Sequence, residues 1–326
     1  MHDSVFDTQV TLSHSPRFTL SNPIMIASGT FGWDGYGNGL PSELPIGKIG
    51  AIVAKTTTPK KRLGNPAPRI TYGQGWTLNS IGLENPGIDI VIKEYAPIWS
   101  HWNIPVILSI ASEYQEGFSE IAAAADGTPG IAALELNVSC PNVEGGLEFG
   151  QNPDLTQQVT QSVRDNTSLP VIVKLSPNVT DITAIAHAAS LGGADALTLT
   201  NTLRGMALDP KTKRSSLGTM SGGLSGPALK PVALNMVHRV YQDVSIPIIG
   251  AGGISTFQDA LEYFLAGATA VQIGTANFAD PWTPIHILSQ LQSYLEQNKI
   301  PSVQSLVGTT NFENLPKPDM SKEFLT

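Results

Sequence analysis

The chain has 326 residues, of which 41% are hydrophobic and 14% are charged, and its formal net charge is −8. This composition excludes a disordered chain and a coiled coil, and the acidic balance argues against a nucleic-acid-binding face. A single cysteine, Cys140, excludes a disulfide framework and a Cys-ligated iron–sulfur cluster within the chain. We expect a cytoplasmic protein, because the first residues do not resemble a signal peptide and no apolar run approaches the roughly 20 residues of a membrane span.

Short apolar runs rich in β-branched residues recur along the chain, and most are followed by a stretch with helical periodicity. Before the first of them, residues 8–20 predict a hairpin that closes the bottom of the fold. The apolar runs lie at 24–28, 49–55, 105–111, 131–138, 170–176, 194–200, 246–252 and 269–274. The helical patterns lie near 87–99, 113–126, 152–166, 180–192, 225–243, 255–266 and 281–297. This alternation is typical of βα units that build a parallel sheet covered on both faces.

Seven or eight such units in one chain favour a closed barrel over an open sheet. We therefore expect the α/β class, with residues 1–326 forming a single (β/α)₈ TIM-barrel domain that carries the N-terminal hairpin. Two long segments, 56–86 after the second strand and 201–224 after the sixth, are expected to be βα-loop insertions. Active sites of such barrels lie at the C-terminal ends of the strands, so these insertions are expected to form a lid or pocket wall.

Three residues are expected to mark helix ends. Ser225 precedes Gly226-Pro227 and predicts an N-cap with proline in the first turn. Ser255 is predicted to precede the helix TFQDALEYFLAG as its start signal, and Gly267 to end it.

Glycine-rich turns follow the last two predicted strands, GAGGIS at 250–255 and IGTANF at 273–278. Glycines at a strand end let backbone N–H groups turn toward a ligand, and a following helix N-terminus adds a favourable dipole. A phosphate bound after strands seven and eight recurs in these barrels. The two turns therefore predict a phosphate site without identifying the molecule that carries the phosphate.

Two lysines occupy strand positions near the predicted catalytic face. Lys55 ends the second predicted strand, and Lys174 lies within the fifth, in VIVKLSPN. A lysine in an apolar strand is costly unless it meets an anion or a developing negative charge. We expect both to serve a ligand; the alternative is a side chain that reaches solvent at the barrel rim.

Asparagines follow several strand ends. An amide offers both a donor and an acceptor, which suits a planar heterocycle with alternating carbonyl and N–H groups. Any single asparagine is more commonly a turn residue, so the prediction of a recognition site depends on the convergence of the set. The set comprises Asn79, Asn137, Asn142, Asn178 and Asn201.

Cys140 follows the fourth strand, in a loop that also contains Pro141. A thiol can serve as a base or a nucleophile, and a positive environment lowers its pKa. A free cysteine is also commonly a small buried hydrophobic residue. Its position alone leaves both interpretations open.

A set of longer motifs closely resembles the dihydroorotate dehydrogenase family from about residue 20 to 285. The motifs are ASGTFG at 27–32, KTTTPKKRLGNPAPRI at 55–70, LNSIGLENPGI at 78–88, ALELNVSCPN at 133–142, VKLSPNVTDI at 173–182, LTNTLRGM at 199–206, GGLSGPALKPVAL at 222–234, IPIIGAGGI at 246–254 and IGTANF at 273–278. GNPAPR and SGPALKPVA resemble the class 1B members more than class 1A. The cysteine in NVSCPN separates the chain from the membrane-associated class 2, which has serine there.

The resemblance implies the oxidation of dihydroorotate to orotate in pyrimidine biosynthesis, with FMN across the barrel mouth. It implies Cys140 as the base that removes the C5 proton while a hydride passes from C6 to flavin N5. The implied FMN contacts are Ser28, Lys55, Thr56, Asn137, Lys174, Thr200, Gly226, Gly252, Gly253, Gly274 and Thr275. The implied pyrimidine contacts are Lys55, Asn79, Ser80, Ile81, Gly82, Leu83, Asn137, Asn142, Asn201 and Thr202.

Class 1B members pass electrons to NAD through a second subunit that carries FAD and a [2Fe–2S] cluster. The resemblance therefore implies such a partner, in a heterotetramer built on a homodimer of this chain. Two positions depart from the family pattern: Ser109 stands where class 1B members commonly have asparagine, and Glu84 where glutamine is usual. The resemblance does not extend beyond about residue 285.

Other functions remain open on the sequence. One is an FMN barrel that acts on a related pyrimidine, as dihydropyrimidine dehydrogenase does, and another is a class 1A-like enzyme that uses fumarate. A catalytically idle barrel that serves as a scaffold for a partner would bind no flavin. An aldolase-type barrel would use Lys174 to form a Schiff base.

Overall fold

A computed structural model describes residues 6–32, 34–139 and 148–311 of the chain. Its strands are β1 (Val10–His14), β2 (Arg17–Leu20), β3 (Ile24–Ile26), β4 (Ala51–Thr57), β5 (Ile70–Gly73), β6 (Trp76–Asn79), β7 (Val106–Ile110), β8 (Ala133–Asn137), β9 (Val171–Leu175), β10 (Ala196–Leu199), β11 (Leu203–Gly205), β12 (Leu208–Asp209), β13 (Arg214–Ser215), β14 (Gly222–Ser225), β15 (Ile248–Ala251) and β16 (Ala270–Ile273).

The helices follow the same chain order. They are α1 (Ile88–Ile90), α2 (Ala96–Trp99), α3 (Gln115–Ala125), α4 (Pro153–Arg164), α5 (Ile182–Leu191), α6 (Lys230–Tyr241), α7 (Phe257–Ala266), α8 (Ala276–Ala279) and α9 (Thr283–Asn298). A π-helical turn, Val91–Tyr95, joins α1 to α2. Short 3₁₀ turns cover Ile46–Lys48, Phe149–Gln151, Pro227–Leu229 and Val303–Leu306.

Eight parallel strands close into a barrel in the order β3-β4-β7-β8-β9-β10-β15-β16. Every residue of β7 and β9 is buried, because one face points into the barrel and the other is covered by helices. Each strand overlaps one of the apolar runs in the sequence. The predicted (β/α)₈ TIM barrel is thus confirmed.

The hairpin β1–β2 covers the N-terminal end of the barrel, as predicted. Leu12 and Leu20 are fully buried, and the two strands pair antiparallel. The hydroxyl of Ser13 donates to the carboxylate of Asp195, 2.8 Å away, directly before β10 begins. The opposite, C-terminal end of the barrel is therefore the end that is left for a ligand.

The two predicted insertions meet in a four-stranded antiparallel sheet, in the order β11-β14-β6-β5. Asn79 of β6 pairs with Gly223 of β14, and Leu203 of β11 pairs with Leu224. This insertion sheet is formed by segments more than 120 residues apart in the chain. It stands at the C-terminal end of the barrel strands.

The helix predicted over 87–99 is confirmed, because α1, the π-helical turn and α2 follow one another without a break. Two local capping predictions were wrong. Ser225 is the last residue of β14 rather than an N-cap, because it pairs with Thr77. The N-cap of α7 is Thr256 rather than Ser255, whereas Gly267 ends α7 with a φ of 121°, as expected for glycine at that position.

Candidate active site

A cavity of about 2050 Å³ opens at the C-terminal end of the barrel strands, between the βα turns and the insertion sheet. A typical small-molecule pocket has roughly 300–1,000 Å³. The cavity is therefore large enough for two flat ligands side by side. Its wall is polar along the barrel rim and includes backbone, amide, hydroxyl and ammonium groups.

The structure brings most of the predicted site residues to this cavity. The predicted cofactor residues in its wall are Ser28, Lys55, Asn137, Lys174, Thr200, Gly226, Gly252, Gly253, Gly274 and Thr275. The predicted substrate residues in its wall are Lys55, Asn79, Ser80, Ile81, Gly82, Leu83, Asn137, Asn201 and Thr202. Cys140 and Asn142 lie outside the described residues.

Thr56 is the predicted cofactor residue that the structure does not place in the cavity wall. It is buried behind the wall, where its hydroxyl shares hydrogen bonds with Ser109 at 2.9 Å and with Ser28 at 3.2 Å. Ser28 also donates to the carbonyl of Ala54 at 2.8 Å. Thr56 therefore supports Ser28 from behind, and Ser109, the position that departs from the family pattern, completes this buried chain of hydroxyls.

Glycines shape the turn between β15 and α7. Gly252 and Gly253 have φ angles of 135° and 68°, a region that favours glycine. A Cβ on Gly253 would lie 2.8 Å from the Cβ of Lys230 and 2.9 Å from the carbonyl oxygen of Gly226. The hydroxyl of Tyr263 donates to the carbonyl of Gly252 at 2.7 Å and fixes the turn from below. The backbone at this turn consequently approaches the cavity without an intervening side chain.

The helix α7 begins at this turn with a capping box formed by Thr256 and Asp259. One oxygen of Asp259 accepts hydrogen bonds from the backbone N–H groups of Ser255 and Thr256 at 3.0 and 2.9 Å. Burial alone would raise the pKa of Asp259, but the hydrogen bond from Lys230 and those from the Ser255 and Thr256 region lower it to about 2. The carboxylate is thus tied into the start of α7.

A hydroxyl pair joins the insertion sheet to the turn after β16. Thr275 donates to the hydroxyl oxygen of Ser225 at 2.8 Å. Ser225 ends β14, and Gly226 follows it with a φ of 87°. The two glycine-rich turns and the end of β14 therefore form one polar cradle on one side of the cavity.

Amide side chains form the opposite side. Asn201 donates to Asn137 and to the hydroxyl of Ser139, both at 3.0 Å. Its oxygen accepts from the backbone of Thr202 at 2.8 Å. These contacts fix the orientation of the Asn201 amide and hold the Asn137 oxygen, while both residues stay at the cavity surface.

Asn178, like Asn201, has both of its amide N–H donors and its oxygen engaged. Its side chain donates to Ser176 at 3.2 Å and to the carbonyl of Thr202 at 3.3 Å, and it accepts from the backbone N–H of Arg204 at 2.8 Å. Its hydrogen-bonding capacity is therefore used mainly to join β9 to the start of the second insertion. Asn178 supports the wall rather than offering a free amide.

Lys174 rises from β9 at the floor of the cavity. Its ammonium donates to Gln272 on β16 at 3.2 Å and lies 3.8 Å from a carboxylate oxygen of Glu135 on β8. Glu135 is fully buried. The ammonium of Lys174 therefore lies between the buried carboxylate of Glu135 and the cavity. From this position it can also meet a negatively charged ligand in the cavity, as the sequence predicted.

Sequence reasoning missed Gln272 and Glu135. The signal was available, since each is a polar residue within an apolar strand, which is the same argument that selected Lys174. Gln272 lies at the cavity floor and Glu135 below it.

The hydroxyl of Thr200 is buried and has no hydrogen-bond partner among the described residues. Thr200 follows β10 and lies in the cavity wall. A buried polar atom without a partner is costly unless a ligand or water supplies one. This atom therefore points to a hydrogen-bonding ligand.

The family model for dihydroorotate dehydrogenase matches residues 11–295. Three bacterial relatives bear the name dihydroorotate dehydrogenase B (NAD(+)), catalytic subunit. The protein of Desulforudis audaxviator is 48% identical over 294 residues, covering 90% of this chain and 95% of the relative. That of Geotalea uraniireducens is 50% identical over 290 residues (89% and 94%), and that of Geobacillus kaustophilus is 47% identical over 294 residues (90% and 93%).

A solved structure supports the fold independently. The crystal structure of a dihydroorotate dehydrogenase from Eimeria tenella, in complex with ferulenol, matches with a TM-score of 0.75 and 23% identity. The match covers 95% of this chain and 90% of the other. No helix in the described part of the chain has the length and apolarity to cross a membrane. With a family model that spans most of its length and relatives close to 50% identical, this chain belongs to the dihydroorotate dehydrogenase family and resembles its NAD-type B catalytic subunits.

Proposed function

We propose that this chain is the catalytic subunit of an FMN-dependent enzyme that oxidises dihydroorotate to orotate. The observation that carries the proposal is a single cavity with a glycine cradle on one side and fixed amides and a lysine on the other. Such a cavity suits a phosphate-bearing flavin beside a small pyrimidine. The names of the bacterial relatives agree with this assignment.

Two regions of the cavity support the assignment of FMN, one for its phosphate and one for its ring. The phosphate would lie against the backbone at Gly252, Gly253 and Gly274, with the hydroxyl of Thr275 beside it. The Ser255 and Thr256 N–H groups already bind Asp259, so the glycine amides before them are the donors left for a phosphate. At the ring end, the ammonium of Lys174 and the hydroxyl of Thr200, which has no hydrogen-bond partner in the described part of the chain, would supply donors.

The pyrimidine would occupy the side formed by the amides. The NH₂ groups of Asn79 and Asn137 would donate to ring carbonyls. The oxygen of Asn201, whose own N–H donors are bound by Asn137 and Ser139, would accept from a ring N–H. Lys55 lies in the same wall and would bind the carboxylate of dihydroorotate. This carboxylate distinguishes dihydroorotate from dihydrouracil.

The oxidation removes a proton from C5 and a hydride from C6, and the two electrons of the C5–H bond form the new double bond. FMN, when bound, supplies the acceptor for the hydride. Cys140 is proposed as the base that takes the C5 proton. The preceding residue, Ser139, is held by Asn137 and Asn201, next to the amides that would orient the pyrimidine.

The onward path of the electrons is part of the proposal. The relatives are named as catalytic subunits that use NAD(+), and we infer a partner subunit that carries FAD and a [2Fe–2S] cluster. The chain has one cysteine, so such a cluster would have to be bound by the partner. We also propose a homodimer of this chain within a cytoplasmic heterotetramer.

Anaerobic reduction of the purified holoprotein tests the proposed substrate. Dihydroorotate should bleach the flavin absorbance within one turnover, whereas dihydrouracil, which lacks the carboxylate, should not. A protein that binds no FMN, or whose FMN is reduced faster by dihydrouracil, would overturn the proposal. Re-oxidation by NAD(+) only after the partner subunit is added, and not by fumarate, would support the proposed electron path.

A further inference from the structure

Four polar side chains form a network inside the barrel, directly below the cavity floor. Glu135 accepts hydrogen bonds through one carboxylate oxygen, from Gln272 at 2.5 Å and from Thr198 at 2.9 Å. Its other oxygen has no hydrogen bond among the described residues and lies 3.8 Å from the ammonium of Lys174. Gln272 also accepts from Lys174 at 3.2 Å. This barrel network therefore joins four different strands, β8, β9, β10 and β16.

Strand geometry places the network one layer below the site. Glu135 precedes Asn137 by two residues, and Thr198 precedes Thr200 by two, so each lies on the same strand face as a cavity residue. Glu135 and Thr198 are completely buried. The interior layers of such a barrel are normally filled by branched apolar side chains. A buried carboxylate at this position is costly and needs a compensating partner.

Gln272 has a fixed orientation within the network. Its NH₂ group donates to Glu135, so its oxygen must face Lys174. The ammonium has three N–H donors, of which one is bound by Gln272. The acceptors below thus hold the ammonium at the floor, while remaining donors can serve a ligand in the cavity above.

We propose that Glu135 is a positioning residue that fixes Lys174 through Gln272 and, as a buried counter-charge, lowers the electron affinity of the flavin. The inference rests on the proposed function, because it assigns FMN to the cavity. Reduction of a bound flavin would add negative charge to it, and the ammonium of Lys174 at the cavity floor would stabilise that charge. The negative charge of Glu135 opposes this effect in a medium of low dielectric constant. Removing that charge should make the flavin easier to reduce.

Glu135→Gln tests the counter-charge, since it keeps the shape and an oxygen that can accept from Gln272. The measurement is the midpoint potential of the bound FMN, by anaerobic titration against reference dyes. We expect the reduction equilibrium to shift at least tenfold toward reduced FMN, which is a rise of about 30 mV in the midpoint potential of a two-electron couple. Thr198→Val is the matched control, because it removes a hydrogen bond to Glu135 but keeps the charge of the carboxylate. The equilibrium constant for reduction of its FMN should stay within threefold of the wild-type value.

A folded Glu135→Gln protein whose bound FMN has an unchanged or lower potential would overturn the inference. Should that variant not fold, Gln272→Met carries the test of positioning, because it removes the acceptor of Lys174 and leaves the charges in place. Its FMN dissociation constant should rise at least fivefold, and an unchanged constant would equally overturn the inference. Wild-type protein that binds no FMN would instead refute the proposed function.

Discussion

The environment of the Thr200 hydroxyl leaves a hydrogen bond for a ligand or a water to supply. The hydroxyl is buried at the edge of the cavity without a partner among the described residues, although its neighbours on the same face are hydrogen-bonded. Leaving such a group unpaired costs about 1–3 kcal/mol. A hydrogen bond to bound FMN would offset that cost.

Thr200→Val should therefore weaken FMN binding without lowering the stability of the apoprotein. The apoprotein should be as stable as the wild type or more stable, because the valine removes the unpaired hydroxyl. The FMN dissociation constant should rise by roughly two- to twelvefold, which corresponds to the net contribution of one hydrogen bond. Thermal melting of the apoprotein and quenching of flavin fluorescence measure the two effects.

Thr160→Val is the control for this substitution. Thr160 is also fully buried, but it donates to the carbonyl of Thr156 within α4 at 2.7 Å, away from the cavity. This variant should leave FMN binding unchanged. If Thr200→Val bound FMN as tightly as the wild type, the hydroxyl would have no ligand role.

Cys140→Ala should abolish most of the dihydroorotate-driven reduction while the flavin stays bound. A positioned base contributes about 10²–10⁴ to the rate, so the rate constant in rapid mixing should fall by that factor. Cys140→Ser keeps a group able to accept the proton, so its rate constant should lie between those of the wild type and Cys140→Ala. A wild-type rate in Cys140→Ala would remove the thiol from the proposed mechanism.

For single residues, the chemistry of the side chain was enough to choose candidates, but the sequence could not show which hydrogen bonds each candidate makes. Lys174 could be predicted because a lysine in an apolar strand needs an anion, and the structure places it at the cavity floor. Asn178 and Asn201 looked equivalent to Asn137, yet their amide N–H donors are used to hold neighbouring groups of the protein. Which amides are free depends on neighbours brought together by folding, and no local pattern encodes that.

Among the elements, α7 shows how a helix start can serve both stability and the site. Asp259 holds the first turn through its hydrogen bonds to Ser255 and Thr256, and Lys230 neutralises it from α6 at 2.7 Å. The carboxylate therefore joins two helices and fixes the turn that presents Gly252 and Gly253. A weaker cap would loosen the proposed phosphate cradle.

The pH dependence of stability tests this arrangement. The pKa of Asp259 is lowered from 3.8 to about 2 in the folded chain, so its stabilising effect is complete above pH 4 and is lost as the pH falls toward 2. Asp259→Asn should be less stable than the wild type by about 1 kcal/mol at pH 6. The difference should shrink between pH 4 and pH 2, as measured by urea unfolding.

Glu262→Gln provides the control, because Glu262 is the other partner of Lys230 and lies outside the capping box. Its stability should stay within about 0.5 kcal/mol of the wild type at pH 6. A difference between Asp259→Asn and the wild type that does not change from pH 6 to pH 2 would argue against the capping carboxylate.

The elements of the barrel were predictable, whereas the insertion sheet was not. Apolar runs and helical periodicity are local signals, and each barrel strand overlaps a predicted run. Pairing between β6 and β14 joins segments that lie more than 140 residues apart, as in the pair Asn79 and Gly223. The same pairing makes Ser225 a strand residue, which explains why its local capping signal was misleading.

For the whole molecule, we propose that residues 1–326 form a single domain. A continuous core runs from Val10 in the hairpin to Leu306 in the last 3₁₀ turn. The regular spacing of strand and helix signals was sufficient to predict the closed barrel. Calorimetry should show one cooperative transition; two separate transitions would contradict the proposal.

FMN should stabilise the whole chain by mass action. At a free concentration 100 times its dissociation constant, a ligand that binds only the folded state adds about 2.7 kcal/mol. For a chain of this length the melting temperature should rise by roughly 4 °C. Riboflavin, which lacks the phosphate, should give a smaller rise at the same concentration, and an equal rise would argue against the glycine cradle as a phosphate site.

The register between β6 and β14 has a consequence for how this chain can change during evolution. β6 leads directly into Ser80 and the proposed pyrimidine loop, and β14 leads directly into Gly226 at the proposed phosphate cradle. A slip of one residue between them would shift one end of the site against the other by about 3.3 Å and reverse every side chain in the strand. Insertions and deletions should therefore be tolerated in the exposed segment between β12 and β13, but not within β6 or β14.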